Sequence, residues 1–363
     1  MQSKLTKEDI LQILNATDSE IIDYMSQTVK FRENNLITYS KNVFIPLTEI
    51  CRNDCGYCNF KKNPNDSEAI ILKNKQEVLE SLKEAEQYGC KEALFTFGED
   101  ADEEEIVQLK LKEYGYESMI DYIVDICQMT LDETTLLPHT NGGNFSFEDL
   151  KRLKEVNASL GLMLENSSSR LMELPAHNKS PGKNPKLRLE TISNAGKLKI
   201  PYTTGILIGI GETKEEIADS LLTIRELSDT YGHIQEVIIQ NFTPIPGIEM
   251  ENWPEPSFLD MIRTVIAGTL LFGETDVSIQ VPPNLNNDTA QIFLLCGADD
   301  WGGVSPVSPD YVNITSPWPG IDELKKLTED AGFELIERLC IYEKYINDEW
   351  LNSNLLEKIS NLT

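Results

Sequence analysis

The chain is poor in positive charge. Of its 363 residues, 32 are Lys or Arg and 60 are Asp or Glu, giving a formal charge of −28. A surface of that sign repels phosphate backbones and anionic lipid, so nucleic acid and membrane are discounted as partners. Histidine is almost missing. His139, His177 and His233 are the whole set, far apart, and supply no H-x3-H pair of the kind zinc sites use. No apolar run approaches 18 residues, so no transmembrane helix is expected. The opening MQSKLTKEDI lacks the apolar core of a signal peptide, and a cytoplasmic location is the expectation. Linkers, internal repeats and low-complexity segments are absent as well. Seven cysteines in a long chain do not read as a disulfide framework. Cys90, Cys127, Cys296 and Cys340 stand singly among apolar neighbours and read as small core residues.

What is present is a core's worth of apolar residues, 40% of the chain, arranged in alternating units. After a polar helical start with a Thr6 N-cap, the runs 42–48, 93–97, 135–139, 158–164, 200–208, 236–240 and 277–281 read as strands. Helices opened by Ser146 and by the T-K-E-E capping box at Thr213 lie between them, as does a helix over 185–195 with Gly196 at C′. Repeated strand–helix units imply parallel strands with right-handed crossovers. About six units fit, which predicts an α/β fold with a partial, TIM-like (β/α)6 barrel over 41–318. A helical N-terminal extension (1–40) and a C-terminal extension (319–363) flank it. Catalytic groups of such barrels sit at the C-terminal ends of the strands.

One stretch departs from chance. Cys51–Phe60 reads CRNDCGYCNF, a C-x3-C-x2-C group directly after the first strand. With seven cysteines in a chain of this length the spacing arises by accident in roughly 0.3% of cases. Thiolate is a soft ligand suited to zinc, copper(I) or iron–sulfur clusters. Structural zinc usually takes four ligands in two separated pairs, and no second pair is present. A 4Fe–4S cluster normally takes four cysteines; three leave one iron open for a ligand that reacts. Zinc remains the alternative, as the staple of an acidic interaction module.

C-x3-C-x2-C after the first strand of a (β/α) barrel resembles the radical S-adenosylmethionine (SAM) superfamily. The resemblance implies that Cys51, Cys55 and Cys58 hold a 4Fe–4S cluster. It also implies that SAM chelates the open iron, and that one-electron cleavage gives methionine and a 5′-deoxyadenosyl radical. It assigns Tyr57 to the adenine side and the F-G-E of Phe97–Glu99 to the SAM amino group, through Gly98 and Glu99. Phe97 stands where the family has a glycine. It assigns G-I-L-I-G-I-G-E, with Gly205, Gly209 and Glu212, to the adenine, Glu165 to the ribose or methionine, and Arg188 to the SAM carboxylate.

Longer stretches narrow the resemblance. LPHTNGG (137–143), HNKSPGK (177–183), YGHIQEVIIQNF (231–242), QVPPNL (280–285) and GADDWGGVSPVSPDYVN (297–313) resemble the CofG family of deazaflavin (FO) synthase subunits, with Gly142 where proline is expected. That family implies a lyase acting on the product of a separate CofH subunit, an adduct of a hydroxybenzyl group and a ribityl-bearing uracil. Hydrogen abstraction, ring closure and loss of ammonia then give FO, the precursor of coenzyme F-420. A one-electron reductant is implied too. His139, His177 and Tyr202 are the expected catalytic groups, and Asn141, Lys183, Gln240, Asn241 and Gln280 the expected substrate contacts. The stretch Asp300–Ser305 is expected to cap the site. A CofH-like or menaquinone-pathway relative would share the cluster and differ in substrate.

Overall fold

The structure, a computed structural model, describes residues 5–31 and 34–362. Strand β1 (Leu36–Thr48) is buried on both faces from Asn42 onward, as parallel strands covered by helices are. Seven strands follow: β2 (Glu92–Phe97), β3 (Leu137–Asn141), β4 (Ser159–Gly161), β5 (Tyr202–Ile208), β6 (Ile234–Asn241), β7 (Ser278–Gln280) and β8 (Asp300–Val304). Each pairs in parallel with the next, and β1 pairs with both β2 and β8, so the barrel closes. A last strand, β9 (Glu334–Arg338), lies parallel to the first half of β1.

The expected partial (β/α)6 barrel is therefore corrected to a closed barrel of eight strands. Six units were too few because Asp300–Val304 hides its character. Its sequence, DWGGV, holds two glycines and an acid, with no alternation to mark a strand. Asp300 is nevertheless fully buried, because Arg338 brings a guanidinium to it and donates from Nη2 to Oδ1 at 2.8 Å. Trp301, expected in a cap, packs outside the barrel and donates from Nε1 to Thr328 at 3.0 Å.

The helices form the outer ring. The helix Lys214–Tyr231 starts at the Thr213–Glu216 capping box and ends at Gly232 with φ of 66°. The helix Pro185–Lys197 runs past Gly196. That glycine sits inside it because a Cβ there would stand 2.6 Å from the Tyr231 ring, and Lys199, at φ 54°, makes the turn. Helices Lys7–Leu14 and Asp18–Thr28 pack on the helix Phe258–Phe272, outside the barrel.

After β9 the chain crosses the N-terminal end of the barrel and plugs it. The Cys340 carbonyl accepts from Ser159 Oγ at 2.7 Å and Gln235 Nε2 at 3.0 Å. The Tyr345 hydroxyl meets the carbonyls of Gly232 and Ile234 at 3.0 Å. Ile341, Tyr345, Leu355 and Ile359 share an apolar cluster with Leu137 and Ala158. One end of the barrel is thus closed and the other left for a site.

Candidate active site at the mouth of the barrel

Strand register stacks the interior side chains in three tiers. Asn42 pairs with Glu92, and Thr203 with Glu236, near the plugged end. Phe44, Leu94 and His139 follow in register, with Ile238 beside Gln280. Thr96 with Asn141, and Leu207 with Gln240, form the tier at the mouth. From Glu92 to Thr96 is four residues of strand, or about 13 Å. A single cavity of ≈ 350 Å³ runs through all three tiers, from the cysteine loop to Arg338 and Cys340.

Cys51, Cys55 and Cys58 line its open end. The loop that carries them is pinned by glycines used for close approach. A Cβ on Gly98 would stand 1.8 Å from the Ile50 carbonyl oxygen and 2.7 Å from Cys51 Cα. One on Gly56 would stand 2.4 Å from the Pro175 carbonyl oxygen. Burial pushes the Cys51 thiol up to about 12, and the nearby Cys55, Cys58 and Glu99 charges add to the rise. Burial also raises Cys55, against the pull of Lys183.

Beside the cysteines lies a buried ionic network. Glu99 accepts from Asn53 at 3.0 Å and Asn144 at 2.5 Å, and Arg188 Nη2 reaches it at 3.4 Å. Arg188 also donates to the Met163 carbonyl, while its Nε, buried, has no partner. Lys183 donates to Glu165 at 2.6 Å, and its ammonium stands 5.8 Å from the Tyr57 ring centroid. Glu165 holds φ at 63°, a left-handed conformation that costs a non-glycine residue energy and often marks a functional position.

The family follows from comparison with known proteins. The profile of the Radical SAM superfamily matches residues 45–224. The 7,8-didemethyl-8-hydroxy-5-deazariboflavin synthase of Methanobrevibacter smithii is 80% identical over 339 residues, 93% of this chain and 100% of its own. The enzyme of the same name from Methanocaldococcus jannaschii is 52% identical, over 98% of each chain. The chain belongs to this radical SAM family. Among solved structures, methylornithine synthase PylB matches with a TM-score of 0.71 and 19% identity, over 92% of this chain and 95% of that one. HydG, a maturase of the FeFe-hydrogenase, matches with 0.75 and 18%, over 92% and 73%. These two show the fold.

Membership implies a 4Fe–4S cluster and SAM, and the residues present fit both. Among the described residues no three His, Cys, Asp or Glu side chains form a group that could hold a single metal ion. The three thiols instead flank one end of a shared cavity, where a cluster has room and metal binding would remove their protons. The orphaned Nε of Arg188, on the cavity wall, suits a carboxylate. The two departures at 97 and 142 prove to be one. Gly142 lies flat under the Phe97 ring, whose Cζ would stand 2.2 Å from a Cβ there.

Of the expected site residues, Tyr57, Gly98, Glu99, Glu165 and Arg188 line the cavity, as do His139, Asn141, Lys183, Gln240, Asn241 and Gln280. Tyr202 does not. It is fully buried on the helix side of β5, packed against His233 at 6.1 Å between ring centroids, so a catalytic role for it is set aside. His177 stands behind Tyr57, 3.2 Å from its hydroxyl, and supports that ring without lining the cavity. Gly205 makes room for the close approach of β6 at Ile238. Gly209, at φ 96°, and Ile210 donate their N–H groups to Glu212 at 2.7 and 2.9 Å, so Glu212 shapes the turn after β5.

His139 is defined more sharply than the sequence allowed. Its Nδ1 lies 2.7 Å from Ser159 Oγ, whose one proton is committed to the Cys340 carbonyl. Ser159 therefore accepts, His139 carries its proton on Nδ1, and Nε2 is a bare lone pair lying over Gly161. Burial, with the Arg338 charge adding to it, holds the imidazole neutral down to about 3. Ser159, Asn53, Asn144 and the buried ionisable groups of Glu92, Glu236 and Arg338 were not singled out from sequence. The one signal was an acid inside an apolar strand, in EALFTF and IQEVIIQN.

Proposed function

We propose that the chain forms the deazaflavin FO from the hydroxybenzyl adduct of a ribityl-bearing uracil, with loss of ammonia. When bound, the cluster and SAM supply one electron and a 5′-deoxyadenosyl radical. The adduct gives up ammonia and two hydrogens. One leaves as an atom and ends on 5′-deoxyadenosine; the other leaves as a proton and an electron, which replaces the electron spent at the start.

The observation that carries this reading is the single cavity, with three thiols at its mouth and unpartnered amides below them. Among the described residues, the side chains of Asn141, Gln240 and Gln280 line the cavity with no protein partner assigned. Amides that both donate and accept match the alternating edge of a uracil ring. Cys51, Cys55 and Cys58 would hold the cluster, Arg188 the SAM carboxylate, and Glu99 the SAM amino group. Tyr57 flanks that end and keeps water from it. His139 Nε2 faces the substrate as a hydrogen-bond acceptor, held in that tautomer by Ser159.

The chain holds one C-x3-C-x2-C group, which supports a separate CofH-type subunit as the source of the adduct and an external one-electron reductant. The test is anaerobic. Reconstituted and reduced protein is given SAM and the adduct, and 5′-deoxyadenosine and a fluorescent deazaflavin are sought by mass. Both products are expected. Deoxyadenosine without deazaflavin would reject the substrate and keep the chemistry. Ser159→Ala should slow deazaflavin formation by freeing the His139 tautomer, while leaving iron content unchanged.

A further inference from the structure

The plugged end of the cavity is polar in a way that the chemistry at the mouth does not require. Asn42, Glu92, Thr203, Glu236 and Arg338 line it, and none of these is more than half exposed. Most of the charge there is settled within the protein. Arg338 donates to Asp300 and, at 2.9 Å, to Glu236, and Thr203 donates to Glu236 at 3.1 Å. Burial raises Glu236 well above the usual carboxylate range, although Arg338 opposes the rise. Burial raises Glu92 as well, against the hydrogen bond from Ser40. The floor thus holds one linked set, in which Arg338 pairs with Asp300 and Glu236 and the two acids share a hydrogen bond, and beside it a Glu92 carboxyl biased toward the neutral form.

One polar atom is left over. Asn42 is 1% exposed, donates to Glu92, and has a carbonyl oxygen, Oδ1, without a partner. An orphaned acceptor buried on a cavity wall costs about 1–3 kcal/mol and calls for an explanation. Gln280, in the tier above, also lacks an assigned protein partner. The floor therefore offers the Glu92 carboxyl, the free Asn42 acceptor and, from Gln280, an amide that both donates and accepts.

We infer that this floor is a binding subsite for a polyhydroxylated chain, with Asn42 Oδ1 and Glu92 as its polar contacts. Each hydroxyl is both donor and acceptor, which matches a wall that presents both. Phosphate is disfavoured, because Arg338, the cation of the floor among the described residues, is already paired and acids stand beside it. An aromatic ring would leave Asn42 Oδ1 unsatisfied. The inference rests on the proposed function in that the adduct carries a ribityl chain. That chain would point down, and the rings would stay in the upper tiers near the thiols.

The test is equilibrium binding, so it does not depend on turnover. Reconstituted protein with SAM is titrated anaerobically with 5-amino-6-ribitylaminouracil and with the analogue bearing a methyl group in place of the ribityl chain. The ribityl ligand should bind at least about 10-fold more tightly to the wild type. Asn42→Ala should weaken the ribityl ligand about 3- to 10-fold, the worth of one neutral hydrogen bond, and leave the methyl ligand unchanged. Glu92→Gln, which keeps the size and a polar tip, should weaken it by less. Equal affinity of the wild type for both ligands overturns the inference, and so does an equal loss for both in Asn42→Ala. Tighter binding of an analogue with a terminal ammonium in place of the last hydroxyl would mark a cation site and also overturn it. If Asn42→Ala does not fold, the wild-type comparison and Glu92→Gln decide. A wild type that discriminates the ligands yet makes no deazaflavin would refute the proposed reaction and leave the subsite standing.

Discussion

Replacing Gly98 by alanine tests whether the cysteine loop is held by backbone contact. The added Cβ would lie 1.8 Å from the Ile50 carbonyl oxygen and 2.7 Å from Cys51 Cα, both backbone atoms. To reach even 3.0 Å, the closest approach a real Cβ tolerates, the Ile50 carbonyl must retreat by about 1.2 Å, and Cys51 is the next residue. The Gly98 N–H also donates to the Thr48 carbonyl at 3.1 Å, so the push is exerted where β1 and β2 are tied together. Overpacking of this kind costs about 1–3 kcal/mol. The functional cost should be larger, because a displacement near 1 Å at a reacting centre lowers rates roughly 100-fold. Reconstituted Gly98→Ala should therefore stay folded by circular dichroism, melt a few degrees lower, and lose most of its iron, sulfide and deoxyadenosine formation. Full iron content with wild-type SAM cleavage would refute the reasoning, since the loop would then have yielded without moving a thiol.

Gly142→Ala should destabilise by about 1–3 kcal/mol through the clash with Phe97, and Phe97→Ala in the same chain should relieve it. A double-mutant cycle by denaturant unfolding, with no coupling between the two sites, would count against the contact. His233, fully buried with Nε2 2.9 Å from the Ile192 carbonyl, is lowered to about 4, chiefly by burial. The unfolded chain takes up its proton near 6.5 and the folded chain does not, so stability from this group is full above pH 6.5. It is lost as the pH falls toward 4, by up to about 1.4 kcal/mol per pH unit. Melting of the wild type and His233→Asn across that window should converge as the pH drops, and parallel curves would count against it.

The features legible in the sequence were those with a local signature. The capping box at Thr213, the left-handed Gly232 and the cysteine loop after β1 each depend on residues within about ten positions of one another, so spacing betrays them. The closing strand β8 depends on a partner 38 residues later, since Asp300 is tolerable in a barrel wall only with Arg338 against it. The tautomer of His139 depends on a carbonyl at Cys340, 181 residues beyond Ser159. Tyr202 misled because a polar tip at the start of a strand says nothing of which face it takes. Its neighbour Thr203 faces the cavity, and one step of a strand reverses the side.

The plug across the N-terminal end has a consequence for how the protein is made. β1 finds its β8 and β9 partners only after some 260 to 300 further residues, and the cavity floor comes from Arg338 and Cys340. During synthesis, the cysteine loop and β1 to β7 emerge with the barrel still open and its inner acids still wet. A ribosome-bound chain therefore carries the ligands for a cluster well before it has a chamber to shield one. Cluster insertion that waits for release of the finished chain would find a closed barrel. Earlier insertion would leave the metal exposed to solvent and oxygen.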